Sequence, residues 1–402
     1  MIAALSSGPS EITNFSSAQD CASTVDSLRK LGVSVEFKDD KITFAGGEKL
    51  TAPREHLDCG NSGSTMRIMA GLLAGHDFSA ELIGDESLSS RPMRRIVEPL
   101  ELMGARIQTT DGKPPLKIQG AGKLLPITYR LPVASAQVKS AVLFAALSAE
   151  GQTTVIEKSP SRDHTERLFN GFGVPVTTDT LSISIDGPAR FTGGAITIPG
   201  DISSAAYFVA AAMLLPRSEL TIEGVGLNPT RATFLSVLQS WGAQISTSDL
   251  RTERNEPVGT IQVTGSRQSV NRDEDRTLSG SMIPSLIDEL PLLAVVGTQI
   301  PGGIQIRDAE ELRLKESDRL QATAQNLRAM GADVEEFDDG MAVSGPTELR
   351  GASIDSFGDH RIAMAFSVAA LLATGETQIK GSECVAISFP EFYELLHSLA
   401  ER

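Results

Sequence analysis

Five amphipathic segments end in a glycine of the same setting, Leu-Gly-Val, Met-Gly-Ala or a close relative, at Gly32, Gly104, Gly173, Gly242 and Gly331. They recur at intervals of 72, 69, 69 and 89 residues, each where a helix would stop in a left-handed cap. Alternating segments follow, such as VSVEF then KITFAG or ARIQT then LKIQG, and predict a β-hairpin. A second kind of helix, rich in small apolar residues, precedes these segments: STMRIMAGLLAG, SAQVKSAVLFAAL, DISSAAYFVAAAML, IDELPLLAVV and DHRIAMAFSVAALLA. A short strand such as ELIGD, TTVIEK, ELTIEG or IQIRD comes after it, so the predicted unit is helix, strand, helix, hairpin. Helices this rich in Ala and Gly are expected to be buried on most sides, with sheets packed around them.

Six units, three per domain, fit the 402 residues, with domains 1–200 and 201–402 joined through the Gly/Pro-bearing stretch FTGGAITIPGD. The end units are shorter. The first opens on MIAALSSG, read as the back half of a small-residue helix, and the last stops at FPEFYELLHSLAER with no hairpin after it. Matching the element lengths of the other units predicts that an amino-terminal segment of about 30 residues is lacking.

With 41% hydrophobic residues the chain can build real cores. No run of eighteen apolar residues occurs and the amino terminus has no basic region before its apolar stretch, so neither a membrane span nor a signal peptide is predicted and the expected location is the cytoplasm. Cys21, Cys59 and Cys384 are too few and too scattered for a disulfide framework or a metal site and read as small buried hydrophobes. The 36 basic and 51 acidic residues leave a net charge of −15, which argues against nucleic acid or an anionic membrane as a partner. One Trp and three Tyr offer few platforms for stacking bases. An anionic ligand must therefore be caught locally.

Local catchment is what the polar residues offer. They collect where the small-residue helices begin: Gly60 to Thr65 with Arg67, Ser135-Ala136-Gln137 with Lys139, Gly200 to Ser204, and Gly358-Asp359-His360-Arg361. Free N–H groups and the positive end of the dipole make a helix start an anion site, and the same residue types are also ordinary caps. A second set opens the Gly-terminated helices: Arg91-Pro92-Met93-Arg94, Ser161-Arg162-Asp163-His164 and Lys315-Glu316-Ser317-Asp318-Arg319. Lys315 and Arg319 are expected four apart on one helix face, suited to a dianion, with Glu316 beside them as a proton carrier or a solvated cap. Asp288-Glu289 puts carboxylates into an otherwise apolar helix, so Asp288 is either paired or catalytic. His360 reads equally as a structural histidine, and Cys59 as a core residue.

In order, GNSGSTMR, SSRPMRRIVEPLELMGA, ASAQVKSAVLFAAL, SRDHTERL, GDISSAAYF, IDELPLLAV, LRLKESDRL, FGDHRIAMAF and SFPEF resemble the 5-enolpyruvylshikimate-3-phosphate synthase family of enolpyruvyl transferases, in its second class by the Ala136, Lys139 and Arg162 context. The resemblance implies an α/β fold, a two-domain inside-out α/β barrel built from six βαβαββ repeats, three per domain. It implies transfer of the enolpyruvyl group of phosphoenolpyruvate to the 5-hydroxyl of shikimate 3-phosphate with release of phosphate, in aromatic amino-acid biosynthesis. No metal and no organic cofactor is implied, and the partners are small anionic substrates of a monomer. Glyphosate competes with phosphoenolpyruvate in the family.

By matching motif, Gly63, Arg91, Gln137, Arg319 and Arg361 would bind phosphoenolpyruvate. Ser135, Ala136, Gln137, Ser161, Arg162, Asp288 and Lys315 would bind shikimate 3-phosphate. Asp288, Glu316 and His360 would be catalytic, Asp288 on the attacking hydroxyl, Glu316 on the methylene carbon and His360 assisting Glu316. Two departures stand out. Ile387 occupies the place of a lysine found in many members, and the family's amino-terminal PGxKSxxxR-like segment does not occur. The alternatives are an inactive phosphate-binding relative and the UDP-N-acetylglucosamine enolpyruvyl transferases, which normally carry a loop cysteine where this chain has Ser87, Ser89 and Ser90 before Arg91.

Overall fold

All five repeat glycines have positive φ, from +83° at Gly173 to +111° at Gly104. Each sits one residue past a helix C-cap with the same pair of backbone hydrogen bonds. At Gly32 its own N–H donates to Arg29 and the following Val33 N–H to Leu28, and the second of these bonds measures 2.9–3.1 Å in all five cases. A side chain with a Cβ would strain this left-handed cap, which is why glycine punctuates the repeat.

The computed structural model describes residues 1–38, 41–47, 49–265 and 276–400. They form two compact units, Met1–Ile198 with Thr252–Glu256, and Pro199–Arg251 with Pro257–Arg402. Each unit has its own hydrophobic core. The hairpin tip at 252–256, which falls to the first unit, is a feature the sequence pattern does not announce.

The first unit contains three four-stranded sheets of one design. In the second of them Leu57–Asp58 pairs parallel with Ser79–Ile83, which pairs antiparallel with Lys113–Gln119, and Arg106–Thr110 closes the hairpin. The helix Gly63–Ala74 connects the two parallel strands and Arg94–Leu102 leads into the hairpin, giving β-α-β-α-β-β. The strand before the small-residue helix is thus an addition to the unit read from periodicity, being too short to show an alternation. In the first sheet the parallel partner of Ser10–Thr13 is Ala195–Thr197, the stretch that reads as a linker. In the second unit the sheet of Thr277–Leu278, Ile304–Ile306, Gly340–Val343 and Val334–Phe337 repeats the design. A three-stranded sheet holds Glu219–Gly226, Glu256–Thr264 and Gln244–Glu253, and Ser353–Asp355 pairs with Gln378–Lys380.

The small-residue helices are the interior. Ile202–Leu214 buries every residue but Ser204, and Leu290–Gly297 buries all eight. Small residues let backbones touch: a Cβ on Gly71 would lie 2.0 Å from the Ala141 carbonyl oxygen of the neighbouring helix. The helix predicted over IDELPLLAVV is helical only from Leu290, as Leu290–Gly297, and a preceding helical piece, Gly280–Leu286, is bent from it by 106° with residues 287–289 at the turn. Pro291 can only stand in a first helical turn, and it starts the second piece. No single helix among the described residues is long and apolar enough to cross a membrane.

Candidate active site

The bend between those two helices carries Asp288 and Glu289, both nearly buried. The carboxylates are therefore at a break in the helix rather than within one, as the apolar pattern had implied. Buried carboxylates are tolerated only with partners, and the partners come from elsewhere in the second unit. Arg319 Nη1 lies 3.2 Å from Asp288 Oδ1, Arg361 Nη2 3.6 Å from Oδ2 and Lys315 Nζ 3.9 Å from Oδ1.

Arg319 is the hub. Its Nε and Nη2 donate to Asp359 at 2.7 and 3.2 Å, and Nη2 also to Glu316 Oε2 at 2.5 Å. Burial would lower its pKa, but Asp359, Glu316 and Asp288 together hold it above the ordinary arginine value. Arg361 is likewise pushed up, burial being outweighed by Asp288, Tyr207 and Glu289. The helix begins at Arg319 with Asp318 as its cap, so Lys315, Glu316 and Ser317 precede it and Lys315 does not share a helix face with Arg319. Arg319 is 1% exposed and committed to three carboxylates, which replaces the expected pair of free cations by a balanced charge network. Carboxylates held in fixed orientation can take or give a proton at a chosen point.

Asp359 caps the helix His360–Leu372, accepting from the Arg361 N–H at 2.9 Å, and accepts from Ser317 Oγ at 3.1 Å. His360 is buried, and burial pushes its pKa down to about 4. It is neutral near pH 7, and its Nδ1 has no hydrogen-bond partner among the described residues.

The first unit gathers a different set. Ser62 caps Gly63–Ala74, accepting from the Thr65 N–H, and Ser135 caps Ala136–Ala146, accepting from the Val138 N–H. Arg67 Nη1 donates to Gln137 Oε1 at 2.6 Å, and Gln137 Nε2 to Ser64 Oγ at 2.8 Å, so two helix starts are laced together. Arg91, 5% exposed, donates to Asn61 Oδ1 at 2.8 Å and to Ser87 Oγ at 3.1 Å. Arg91 follows a short helix, Glu86–Ser90, and the next helix starts only at Arg94, so Pro92 stands before the helix rather than in its first turn. Gly63 faces both arginines: a Cβ there would lie 2.6 Å from Arg67 Nη1 and 3.3 Å from Arg91 Nη1.

Ser161 donates to Glu157, whose other oxygen lies 3.2 Å from the buried Lys139 Nζ, with Glu166 at 2.7 Å on the same ammonium. Burial raises the Glu166 pKa against the pull of Lys139. Arg162 is half-buried in the loop before His164–Gly171. Sequence reasoning missed Glu157 and Glu166, because their partner lies on another element. Cys59 is fully buried, its thiol pushed up to about 12 by burial, while Cys21 and Cys384 are half-buried rather than core.

Repeats of this kind, with polar helix starts gathered in each unit, are what the resemblance to enolpyruvyl transferases implies. The family model of EPSP synthase (3-phosphoshikimate 1-carboxyvinyltransferase) matches residues 1–396. The chain belongs to that family. The 3-phosphoshikimate 1-carboxyvinyltransferase of Koribacter versatilis is 50% identical over 404 residues, 100% of this chain and 93% of the relative, and that of Brevibacillus brevis is 45% identical, covering 100% and 94%. The EPSP synthase structure from Acinetobacter baumannii has a TM-score of 0.86 at 40% identity, covering 99% of this chain and 91% of that one. The fold is the two-domain inside-out α/β fold of these relatives. The expectation of a lacking amino-terminal segment gains no support from matches that span the chain.

Proposed function

We propose that the protein transfers the enolpyruvyl group of phosphoenolpyruvate to the 5-hydroxyl of shikimate 3-phosphate, releasing phosphate. The observation that carries this reading is the family match over residues 1–396. The carboxylates held around Arg319 support it from the chemistry. The hydroxyl oxygen bonds to C2 of phosphoenolpyruvate while C3 gains a proton; the resulting tetrahedral adduct then loses phosphate from C2 and a proton from C3. Asp288 takes the hydroxyl proton, and Glu316 gives the proton to C3 and takes one back. Arg319 and Arg361 stabilise the charge on the adduct, and neutral His360 assists Glu316.

Gly63, Arg91 and Gln137 serve phosphoenolpyruvate, and Ser135, Ala136, Gln137, Ser161, Arg162, Asp288 and Lys315 serve shikimate 3-phosphate. The protein works as a cytoplasmic monomer on these small anions, with no nucleic acid or membrane partner, in keeping with its −15 charge. A phosphate-release assay with phosphoenolpyruvate and either acceptor tests the reading. Release is expected with shikimate 3-phosphate; release with UDP-N-acetylglucosamine alone, or with neither, overturns it.

A further inference from the structure

Three groups beside the reacting residues have no task in the chemistry above. Ser203, at the start of Ile202–Leu214, is 2% exposed, and Glu289 is 3% exposed. Ser203 Oγ donates to Glu289 Oε1 and accepts from Arg231 Nη2. One hydroxyl thus joins a guanidinium to a carboxylate, its single proton spent on Glu289. Arg231 is itself anchored by Asp201, 3.4 Å away. The same Glu289 Oε1 lies 3.8 Å from Arg361 Nη1. The series runs cation, hydroxyl, anion, cation, each member favouring the next.

Among the described residues the other carboxylate in ion-pair distance of Arg361 is Asp288, at 3.6 Å on its second terminal nitrogen, while Asp201 adds a more distant attraction. Asp288 must change protonation during the reaction, so it cannot alone keep an arginine in place through the cycle. Glu289 is held by Ser203 and has no such duty.

We propose that Arg231, Ser203 and Glu289 form a positioning relay that fixes the Arg361 guanidinium before phosphoenolpyruvate arrives, and so sets the affinity for that small phosphate-carboxylate anion. The inference rests on the reading of Arg361 as a phosphoenolpyruvate ligand. An arginine ordered in the free enzyme loses its rotamer freedom on folding rather than on binding, and the anion binds more tightly as a result. Severing the relay at Ser203 leaves Arg361 chemically intact but free to swing.

The test is steady-state kinetics of Ser203→Ala and Glu289→Gln, each alone and with Arg361→Ala, with thermal melts to qualify folding. Each relay variant is expected to raise the KM for phosphoenolpyruvate about tenfold, the scale of one lost charge-assisted contact. The KM for shikimate 3-phosphate stays near the parent value and kcat falls by less than the KM rises. In the Arg361→Ala background the same changes have no further effect. An unchanged phosphoenolpyruvate KM, equal losses in both KM values, or a rise that persists without Arg361 overturns the relay. An Arg361→Ala variant with normal phosphoenolpyruvate KM overturns the earlier reading of Arg361 and the relay with it. Should Glu289→Gln fail to fold, Ser203→Ala, which removes one oxygen and no charge, decides the matter.

Discussion

Arg319 and Asp359 meet fork to fork, Nε to Oδ2 at 2.7 Å and Nη2 to Oδ1 at 3.2 Å, with neither side chain more than 1% exposed. Because Asp359 also caps His360–Leu372, one carboxylate ties the starts of two helices forty residues apart in sequence. Asp359→Ala removes the cap and leaves the buried guanidinium short of its best partner. A loss of about 3–5 kcal/mol is expected, as for breaking any buried pair from one side. Urea unfolding measures it, and a loss below about 1 kcal/mol, typical of an exposed pair, would sink the claim.

Glu316→Gln keeps the shape beside Arg319 and removes the proposed proton carrier. Turnover should fall about 100-fold or more, the usual contribution of a positioned acid–base group. Binding of shikimate 3-phosphate, measured by calorimetry, should change little, since the cations act in ground and transition states alike. Near-normal kcat would reduce Glu316 to a charged neighbour of Arg319.

His360 gives stability a pH dependence of defined sign. Its folded pKa of about 4 lies below the ordinary 6.5 because burial disfavours the charged ring. Between these values the unfolded chain takes up a proton that the folded one refuses, so stability falls as pH drops from 6.5 toward 4, by up to about 3 kcal/mol. His360→Gln cannot titrate and should show a shallower decline. Identical pH profiles in thermal melts would remove His360 from the account. No step in kcat above pH 6 should trace to His360.

Gly63→Ala places a methyl against Arg67 and Arg91. The Arg67 end is flexible and can give way, but only by leaving Gln137. The expected result is a several-fold higher KM for phosphoenolpyruvate, about 1 kcal/mol of binding, and weaker inhibition by glyphosate. Steady-state kinetics with and without glyphosate decide it; unchanged values for both would detach Gly63 from the phosphoenolpyruvate site.

Local signals in the sequence were sound where one element determined the outcome. The five glycine caps and the polar caps Ser62, Ser135, Asp201 and Asp359 all stand where periodicity and capping chemistry put them. Pro291 fixes the start of Leu290–Gly297, three residues later than the apolar run beginning at Ile287 predicts, and leaves Asp288 and Glu289 in the turn before it. Pairings between elements had no local signature: Lys139 with Glu157 and Glu166, Ser203 with Glu289, and Arg319 with Asp359 each depend on packing that brings distant turns together. The roles proposed for Asp288, Glu316 and His360 rest on the family motifs, since charge and spacing alone left capping and catalysis equally open.

The strand Ala195–Thr197 lies beside Ser10–Thr13, with Thr13 and Thr197 hydroxyls 2.9 Å apart across 184 residues of sequence. On a ribosome the opening strand therefore waits for its neighbour. At about 5–20 residues per second that interval is on the order of ten to forty seconds, long beside the roughly 0.1–10 microseconds in which helices and hairpins form. For that time Ser10–Thr13 has a hairpin on one side and a bare row of backbone donors and acceptors on the other. Nascent chains stalled short of residue 195 should accordingly be the ones that chaperones hold and proteases cut.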